Sequence, residues 1–406
     1  MKTVSISLSP NTEKDDLKIA FKELFSRKKI KGKHLKTFEN NFKNYFDFKS
    51  VFSLNSGRSS LFLILKSLDI KKGDEIIVQA FTCNAVVNPI LKTNATPIYT
   101  DIDKTLNIDI EKLKEKITKN TKAVIVQHTF GIPGNIKTIK EICNKHNLIL
   151  IEDCAHSLGA KYNNKYCGTF GDVSFFSFGR DKIISSVYGG MIGVNNKDLI
   201  NKIQNNYDKL DYPNRKWVNQ QLMHPIIMNL FVLPLYNFLN LGKIILELSI
   251  RFKILSKAVS KIEYKGKLPD YFPQKLPNSL AKLANNQFKK LNKFNSHRLE
   301  IAKYYKENIG GMLEIKENAT YLKYPVLTEN GDEIIEEFKK FNIMLEDGWR
   351  KNAIVPPKTD LNKMIYKKGE CQNAEEISNK IIILPTHINI TKDIAEKIVY
   401  LFKSLV

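Results

Sequence analysis

The sequence predicts an α/β protein in which a mostly parallel sheet is followed by a smaller α+β unit. The chain has 406 residues, which exceeds what one hydrophobic core usually holds. Its first half alternates short apolar runs with helical patterns, as parallel strands joined by crossover helices do. Its last third restarts with a long amphipathic pattern, followed by further strands and helices. We therefore expect two units in contact.

Seven apolar runs in the first half are predicted strands, with predicted helices between them. The strand patterns lie at 51–57, 75–81, 96–103, 123–131, 148–154, 172–179 and 189–195. The helical patterns lie at 59–68, 86–94 and 139–147. Ligands of such sheets bind beyond the carboxyl ends of the strands. The candidate functional residues fall mainly at those ends.

The segment 224–252 differs in character, because it is strongly apolar and is broken by Pro234 and Gly242. Its uncharged run, 225–241, is marginal against the about 20 apolar residues that a spanning helix needs. Three interpretations remain open. The segment forms helices buried against the body or a second subunit, an interfacial helix pair that touches a membrane beside the basic stretch 251–261, or a membrane span.

The C-terminal part is predicted to be a separate α+β domain. A Pro-rich linker at 267–277 precedes one long helix over 279–308, and strands are expected at 321–328 and 381–385 with helices at 332–342 and 393–405. We therefore predict a large domain over 1–222, an apolar helical insertion or linker over 223–266, and a small domain over 267–406.

Composition excludes several classes of protein. Hydrophobic residues make up 43% and charged residues 26%, which excludes a disordered or fibrous chain. The net charge of +22 suits nucleic acid, anionic lipid or a phosphorylated substrate, but can also reflect a lysine-rich codon bias. No dedicated nucleic-acid-binding motif is present, so we expect no nucleic-acid partner.

Cysteine usage and the N-terminus bear on the compartment. The five cysteines are widely spaced and include no CxxC pair, so we predict neither a metal site nor a disulfide framework. Charged residues interrupt residues 1–20, so no secretory signal is predicted. We expect a cytoplasmic protein.

The first candidate cluster is a Ser-Gly turn that opens a helix, formed by Ser56, Gly57, Arg58 and Ser59. The free N–H groups and the dipole of a helix N-terminus can hold a phosphate dianion, and Arg58 could add a charge-assisted bond. Alternatively, this is an ordinary capped turn.

The second cluster follows a continuous apolar strand and contains Asp153 and His156. A buried carboxylate needs a cationic partner to stay charged, and the protonated ring nitrogen of a heterocyclic cofactor is one such partner. A helix cap or a salt bridge is the alternative for Asp153. His156 could bond a cofactor hydroxyl or carry protons, although a lone histidine is more often structural.

The third cluster places Ser177 and Lys182 across a strand end and the following loop. A desolvated lysine in a polar cleft can attack an aldehyde, and Ser177 could bind the same phosphate as the first cluster. A solvated lysine is the alternative in so lysine-rich a chain. An anion cradle, a buried carboxylate and an aldehyde-trapping amine together are what pyridoxal phosphate requires.

These clusters stand in the order found in the DegT/DnrJ family of sugar aminotransferases, which the chain resembles over almost its whole length. The motifs that carry the resemblance include Ser56-Gly57-Arg58-Ser59-Ser60-Leu61, Gly73-Asp74-Glu75, His128-Thr129-Phe130-Gly131, Glu152-Asp153-Cys154-Ala155-His156, Gly168-Thr169-Phe170-Gly171-Asp172, Ser177-Phe178 with Lys182, and Leu384-Pro385-Thr386-His387. The resemblance implies a fold-type I pyridoxal-phosphate enzyme with a mixed, mostly parallel seven-stranded sheet between helices.

The resemblance also implies a role for each site residue. Lys182 would form the Schiff base and shuttle the proton, Asp153 would pair with the pyridine nitrogen, and His156 would lie near the phenolic oxygen. Ser177 and the turn from Ser56 to Ser59 would hold the phosphate. The implied reaction moves nitrogen from glutamate to a keto sugar of a nucleotide diphosphate, for cell-surface polysaccharide, in a homodimer.

Several positions depart from the family pattern. Arg58 replaces the usual Thr, and residues 179–181 replace a bulky residue, Pro and Ser or Thr. Cys83 stands where a ring usually stacks on the cofactor, so we predict that Phe81 supplies one instead. The segment 224–252 is outside the common core and suggests a lipid-linked sugar or peripheral contact with the inner face of a membrane. A sugar dehydratase, whose lysine is replaced by His, and a non-catalytic scaffold are the alternative functions.

Overall fold

The structure, a computed structural model, describes residues 3–345 and 348–406. The strands are β1 Val4–Ser5, β2 Ser50–Leu54, β3 Glu75–Gln79, β4 Thr82–Cys83, β5 Thr96–Thr100, β6 Thr121–Gln127, β7 Ile149–Asp153, β8 Lys161–Tyr162, β9 Lys165–Tyr166, β10 Val173–Ser177, β11 Gly190–Val194, β12 Lys323–Leu327, β13 Ile343–Met344, β14 Ile354–Val355 and β15 Ile381–Pro385. The helices are α1 Lys14–Leu24, α2 Lys33–Phe46, α3 Gly57–Ser67, α4 Asn84–Lys92, α5 Ile110–Glu115, α6 Ile136–Lys145, α7 Asp198–Asp208, α8 Arg215–Ile227, α9 Leu241–Arg251, α10 Asn278–Phe288, α11 Leu291–Ile309, α12 Gly331–Lys340, α13 Gln372–Lys380 and α14 Lys392–Lys403. Short 3-10 turns lie at Thr129–Gly131 and Glu263–Lys265, and one π-helical turn at Met228–Val232.

A seven-stranded mixed sheet forms the centre of the molecule, in the order β2-β11-β10-β7-β6-β3-β5. The five strands from β10 to β5 run parallel, whereas β11 is antiparallel to both of its neighbours. All seven strands match the predicted runs, which confirms the predicted α/β class with its mostly parallel sheet. The predicted strand at 123–131 ends at Gln127, where a 3-10 turn replaces it.

The sheet is buried on both faces, as continuous apolar strands require. Alternate residues of β3 and β6 enter two different cores, because successive side chains of a strand point to opposite faces. Ile76 and Ile125 belong to one core and Ile77 and Val124 to the other. Helices cover both faces, so the carboxyl ends of the parallel strands are left as the accessible edge.

The C-terminal part contains the strand pair β12–β15 and the helices α11 to α14. The single long helix predicted over 279–308 is wrong, since the chain breaks at Lys289 and Lys290 into α10 and α11. The break has a packing reason, because α10 packs on α1 and α2 whereas α11 packs on α14. The predicted boundaries at 222 and 266 stay a prediction, and α10 lies in the core of the preceding unit.

The apolar segment 224–252 folds as the end of α8, the π-helical turn and α9. One side of it packs against the body through a small cluster that contains Met228, Val232 and Leu255. Its other side is exposed, with Phe238 and Phe252 more than half accessible. Within the described residues, no helix is both long enough and apolar enough to cross a membrane.

Candidate active site

A cavity of about 530 Å³ opens at the carboxyl ends of the central strands. The turn after β2, the end of β7 and the loop after β10 each bring predicted site residues to its wall. The predicted residues on that wall are Ser56, Gly57, Arg58, Asp153, His156, Ser177 and Lys182. Parallel strands end at one edge of a sheet, and this is why positions more than a hundred residues apart meet here.

The Ser-Gly turn forms the N-terminus of α3, with Ser56 as its N-cap. The Ser56 hydroxyl oxygen accepts the backbone N–H of Ser59 at 3.0 Å. A Cβ added at Gly57 would lie 3.0 Å from Cβ of Ser177, so a larger residue would crowd Ser177 and glycine lets the two positions approach without strain. A Cβ at Gly190 would clash with the backbone of Ser56, and this explains the glycine in β11. The turn and Ser177 together can hold a phosphate.

Asp153 ends β7 and places a carboxylate on the cavity wall with 3% exposure. Its Oδ1 accepts the backbone N–H of Ala155 at 2.9 Å. Burial raises the pKa of this carboxyl to about 6, although the Ala155 amide and Lys182 oppose the rise. Among the described residues no lysine or arginine forms a salt bridge with Asp153. A cationic ring nitrogen would therefore meet an unmatched acceptor, which fits the pyridine of pyridoxal phosphate.

His156 and Lys182 lie next to each other in the cavity. His156 Nδ1 accepts the backbone N–H of Phe130 at 3.3 Å, so the neutral ring carries its hydrogen on Nε2. Nε2 lies 3.1 Å from Nζ of Lys182. Burial, with help from Lys182 and Lys323, holds the pKa of His156 well below its usual range. The histidine is thus a neutral partner for an amine and for a ligand oxygen.

Asp181 balances the positive charge around Lys182. Its Oδ2 lies 3.6 Å from Nζ of Lys182 and 3.5 Å from Nζ of Lys323. Burial raises the pKa of Asp181, but the two lysines outweigh burial and lower it below its ordinary value. The carboxylate therefore stays charged and fixes the lysine side chains.

Arg58 makes an ion pair that the sequence did not predict. Its guanidinium contacts Glu263, whose side chain is fully buried, and donates to the carbonyl of Ala258 at 3.1 Å. Glu263 also accepts the backbone N–H of Ser260 at 2.7 Å. Arg58 thus fastens the segment 258–263 over the turn. The substitution of Arg for the family's Thr has a structural reason, although Arg58 also lines the cavity.

Two other predicted cofactor residues occupy buried positions behind the wall. The Ser59 hydroxyl donates to Asn55 Oδ1 at 2.6 Å. The Phe81 ring is fully buried, with its centroid 5.5 Å from that of Trp349 and 6.0 Å from that of Phe130. Neither belongs to the described residues that line the cavity. Their contact with a cofactor stays a prediction.

Sequence reasoning missed Trp349, which lines the cavity from the C-terminal part of the chain. Its ring centroid lies 4.9 Å from that of His156, and Phe130 stacks on the same imidazole at 5.8 Å. Trp349 is one of only two tryptophans, but no motif near it signals a site. Only the fold brings it beside His156.

His128, Glu152 and Cys154 form a buried cluster of potential metal ligands behind Asp153. Both oxygens of Glu152 are already engaged, because they accept backbone N–H groups of residues 168, 170 and 171 at 2.6–2.8 Å. His128 Nε2 lies 3.2 Å from Glu152. Through these bonds the cluster holds the loop at residues 168–171 in place beside the end of β7, which is a structural role.

Comparison with known proteins places these features in a family. GDP-perosamine synthase of Vibrio cholerae is 41% identical over 171 residues, which cover 42% of this chain and 46% of that protein. GDP-perosamine synthase of Escherichia coli O157:H7 is 31% identical over 311 residues, which cover 75% of this chain and 72% of that protein. A putative sugar aminotransferase from Streptococcus pneumoniae, Spr1654 in its PLP-form, shares the fold with a TM-score of 0.75 at 20% identity, over 99% of this chain and 98% of that chain.

A family profile matches residues 11–220 and 255–403, so residues 221–254 stand outside it. The matched ranges include every predicted site residue and cover both parts of the chain. The resemblance inferred from the motifs is confirmed: the chain belongs to the DegT/DnrJ/EryC1/StrS aminotransferase family.

Proposed function

We propose that this protein is a pyridoxal-phosphate-dependent aminotransferase that moves an amino group from glutamate to a keto sugar of a nucleotide diphosphate sugar, for polysaccharide biosynthesis. One observation carries the proposal. The amine of Lys182, the buried carboxylate of Asp153 and the α3 N-terminus line one cavity. Family membership and the named sugar aminotransferases among the relatives support the same reaction.

The residues fit the cofactor at three points. The N-terminus of α3 with Ser177 would hold the phosphate, Asp153 would pair with the protonated pyridine nitrogen, and His156 Nε2 would donate to the phenolic oxygen. Pyridoxal phosphate, when bound, supplies an electron sink for the reacting carbon of the substrate. A charged Asp153 strengthens that sink, because it keeps the ring nitrogen protonated.

Lys182 has two tasks in the proposed reaction. Its amine would hold the cofactor aldehyde, and the free amine would carry the proton to and from the reacting carbon of the substrate. Asp181, at 3.6 Å, stabilises the charged amine, whereas His156 at 3.1 Å is neutral and contributes no charge of its own. The lysine therefore has a neighbour for each of its protonation states.

Borohydride reduction followed by peptide mapping tests the attachment. Reduction of the protein loaded with pyridoxal phosphate is expected to leave a stable label on Lys182. Lys182→Ala should lose the label, whereas Lys257→Ala, which removes another lysine of the cavity wall, should keep it. A label on a different residue would contradict the proposal.

We also propose that the chain works as a cytoplasmic homodimer, as its family resemblance implies. Analytical ultracentrifugation of the loaded protein should give one species of twice the chain mass of 46.7 kDa. A monomer that is fully active would contradict this assembly.

We further propose that the insertion contacts an anionic membrane surface. Leu241, Ile244, Leu248 and Phe252 form one exposed stripe of α9, at helical spacing. Residues 223–262 contain five cationic residues and a single acid, Glu247. An isologous contact between two copies would set these cations against each other, whereas anionic lipid complements them.

Vesicle co-sedimentation tests this contact. The double variant Leu248→Ser and Phe252→Ser should pellet less with phosphatidylglycerol vesicles than the unmodified protein. Its matched control changes to Ser the exposed pair Phe21, in α1, and Phe25, directly after α1, and should pellet normally. Equal pelleting of all three proteins would remove the membrane proposal, and a change of oligomeric state would assign the stripe to a second copy instead.

A further inference from the structure

The insertion forms one side of the active-site cavity, in addition to its exposed stripe. Residues 221–254 lie outside the family profile, yet His224, Met228, Leu246 and Ile250 line the same cavity as Lys182. Helix α9 therefore faces solvent with one side and the cavity with the other. The cavity has a wall that the common family core does not provide.

This wall is largely apolar. Five side chains from the N-terminus and the insertion pack together and face the cavity: Leu8, Met228, Leu246, Ile250 and Leu255. Met228 and Leu255 are at most 2% exposed. A surface of this kind gains free energy from burying alkyl groups, not charged ones.

A histidine inside this wall has an unused hydrogen-bonding nitrogen. His224 is fully buried, and its Nδ1 lies 2.9 Å from the Ser9 hydroxyl. Its Nε2 has no partner among the described residues. Burial, and after it the nearby Arg180, lower the pKa of His224 well below its usual range, so the ring is neutral. With the Ser9 hydroxyl donating to Nδ1, Nε2 is an N–H donor.

Arg180 supplies a second unused donor on the wall of the same cavity. Its Nη2 donates to the carbonyl and to the hydroxyl of Ser256, each at 2.8 Å, and its guanidinium lies over the ring of Tyr188. Its buried Nε–H has no partner within residues 3–345 and 348–406. Arg180 stands where the family resemblance leads us to expect proline, and His224 lies outside the family profile, so neither donor belongs to the common family pattern.

We propose that this side of the cavity binds an acylamino substituent on the substrate sugar, an inference that rests on the aminotransferase function proposed above. The amide carbonyl oxygen accepts from Nε2 of His224 and Nε of Arg180, and the alkyl part of the acyl group packs on the apolar wall. A bare hydroxyl would leave the wall uncovered. A phosphate would place its charge against the five apolar side chains. Of the two donors only Arg180 is a cation, since His224 is neutral.

Ligand binding to the loaded enzyme tests this subsite. UDP-N-acetylglucosamine and UDP-glucose differ at one substituent and neither is a keto sugar, so calorimetry measures their binding without turnover. The acetylated ligand should bind at least about tenfold more tightly, because its amide oxygen accepts the two added hydrogen bonds and its methyl group packs on the apolar wall.

Variants at His224 and Arg180 test whether these two donors cause the preference for the acetylated ligand. His224→Phe and Arg180→Met should reduce the preference to about one, since each side chain introduced has no N–H donor, whereas His224→Gln should restore part of it because the amide can donate. His146→Phe, an exposed change in the α6–β7 loop, is the matched control and should keep the full preference. Equal binding of both ligands by the unmodified protein, or a preference that all variants keep, would overturn the subsite.

Failure of the subsite is distinguishable from failure of the enzyme. The conversion of the bound cofactor by glutamate, followed by its visible absorbance, needs no sugar. If glutamate converts the cofactor and the two sugars bind equally, the subsite is wrong and the aminotransferase stands. If glutamate leaves the cofactor unchanged, the proposed function itself fails.

Discussion

The two sides of the active-site cavity differ in how the chain builds them. Asp153, Ser177 and Lys182 lie at or just after the carboxyl ends of central strands, inside ranges that match the family profile. The opposite side comes mainly from residues 221–254, which the profile omits, together with Leu8, Arg180 and Leu255, and its polar side chains are held by Ser9 and Ser256. The first side is polar and charged, and the second is apolar with two isolated donors.

This difference indicates that the two sides of the cavity have different roles. The strand-end side carries groups that the reaction chemistry dictates, so its residues can be recognised in the sequence. The insertion side carries no group that the chemistry requires, so it is free to vary with the substrate. Changes on the first side should therefore affect the reaction itself, and changes on the second should affect stability and selectivity.

The largest expected effect comes from removing the lysine of the strand-end side. Lys182→Ala should lower the rate of amino transfer by about 10³-fold, because it removes the group that moves the proton. Single-turnover measurements with glutamate check this. Lys197→Ala, an exposed lysine of the same half of the chain, is the control and should retain the rate. If Lys182→Ala turned over at the normal rate, the strand-end side would not carry the reaction chemistry, and the proposed difference between the two sides would be wrong.

The ion pair between Arg58 of the strand-end side and Glu263 should have the next largest effect, which is on stability. Arg58→Thr restores the usual family residue but leaves the buried side chain of Glu263 without its partner, and should lower the free energy of unfolding by about 3–5 kcal/mol. Urea unfolding of the cofactor-free protein measures it. Adding Glu263→Gln should recover part of the loss. Lys114→Thr, which breaks the exposed pair with Glu111, should cost no more than about 1 kcal/mol.

The pH dependence of stability should reveal the buried acid of the strand-end side. The pKa of Asp153 rises from 3.8 to about 6 on folding, so the folded cofactor-free protein binds more protons than the unfolded chain between these values. Its stability relative to Asp153→Asn should therefore fall as the pH rises from about 4 to about 6, by at most about 3 kcal/mol.

Thermal unfolding of both proteins across this pH range is the measurement. Asp69→Asn, at an exposed aspartate, should show no such difference. Parallel stability curves for the unmodified protein and Asp153→Asn would mean that the acid does not titrate in this window.

The smallest effect on stability is expected on the outer face of the insertion. Leu248→Ser changes an exposed side chain and should alter the free energy of unfolding by no more than about 0.5 kcal/mol. Met228→Ala, on the inner face, should cost about 2–5 kcal/mol because it leaves a cavity. Urea unfolding compares the two. Equal losses would show that the outer face is packed in the folded protein and is not a free surface.

Local sequence patterns were sufficient to predict much of the fold. The seven strand patterns correspond to the seven strands of the central sheet, because a strand buried on both faces must be a continuous apolar run. The single helix predicted over 279–308 was wrong, since its apolar spacing continues through Lys289 and Lys290 although the two halves pack on different partners. The spacing of apolar residues shows which face of a helix is buried, but it does not show which element that face packs against.

The sequence by itself determined the family, the sheet, and which residues stand at the strand ends, because these depend on local spacing and on the chemistry of single side chains. The tertiary structure decided that Arg58 pairs with Glu263, that Trp349 lies beside His156, and that the insertion walls the cavity. Each of these contacts joins residues far apart in the chain. Burial and the choice of partner arise only when the chain is packed, so no local pattern could specify them.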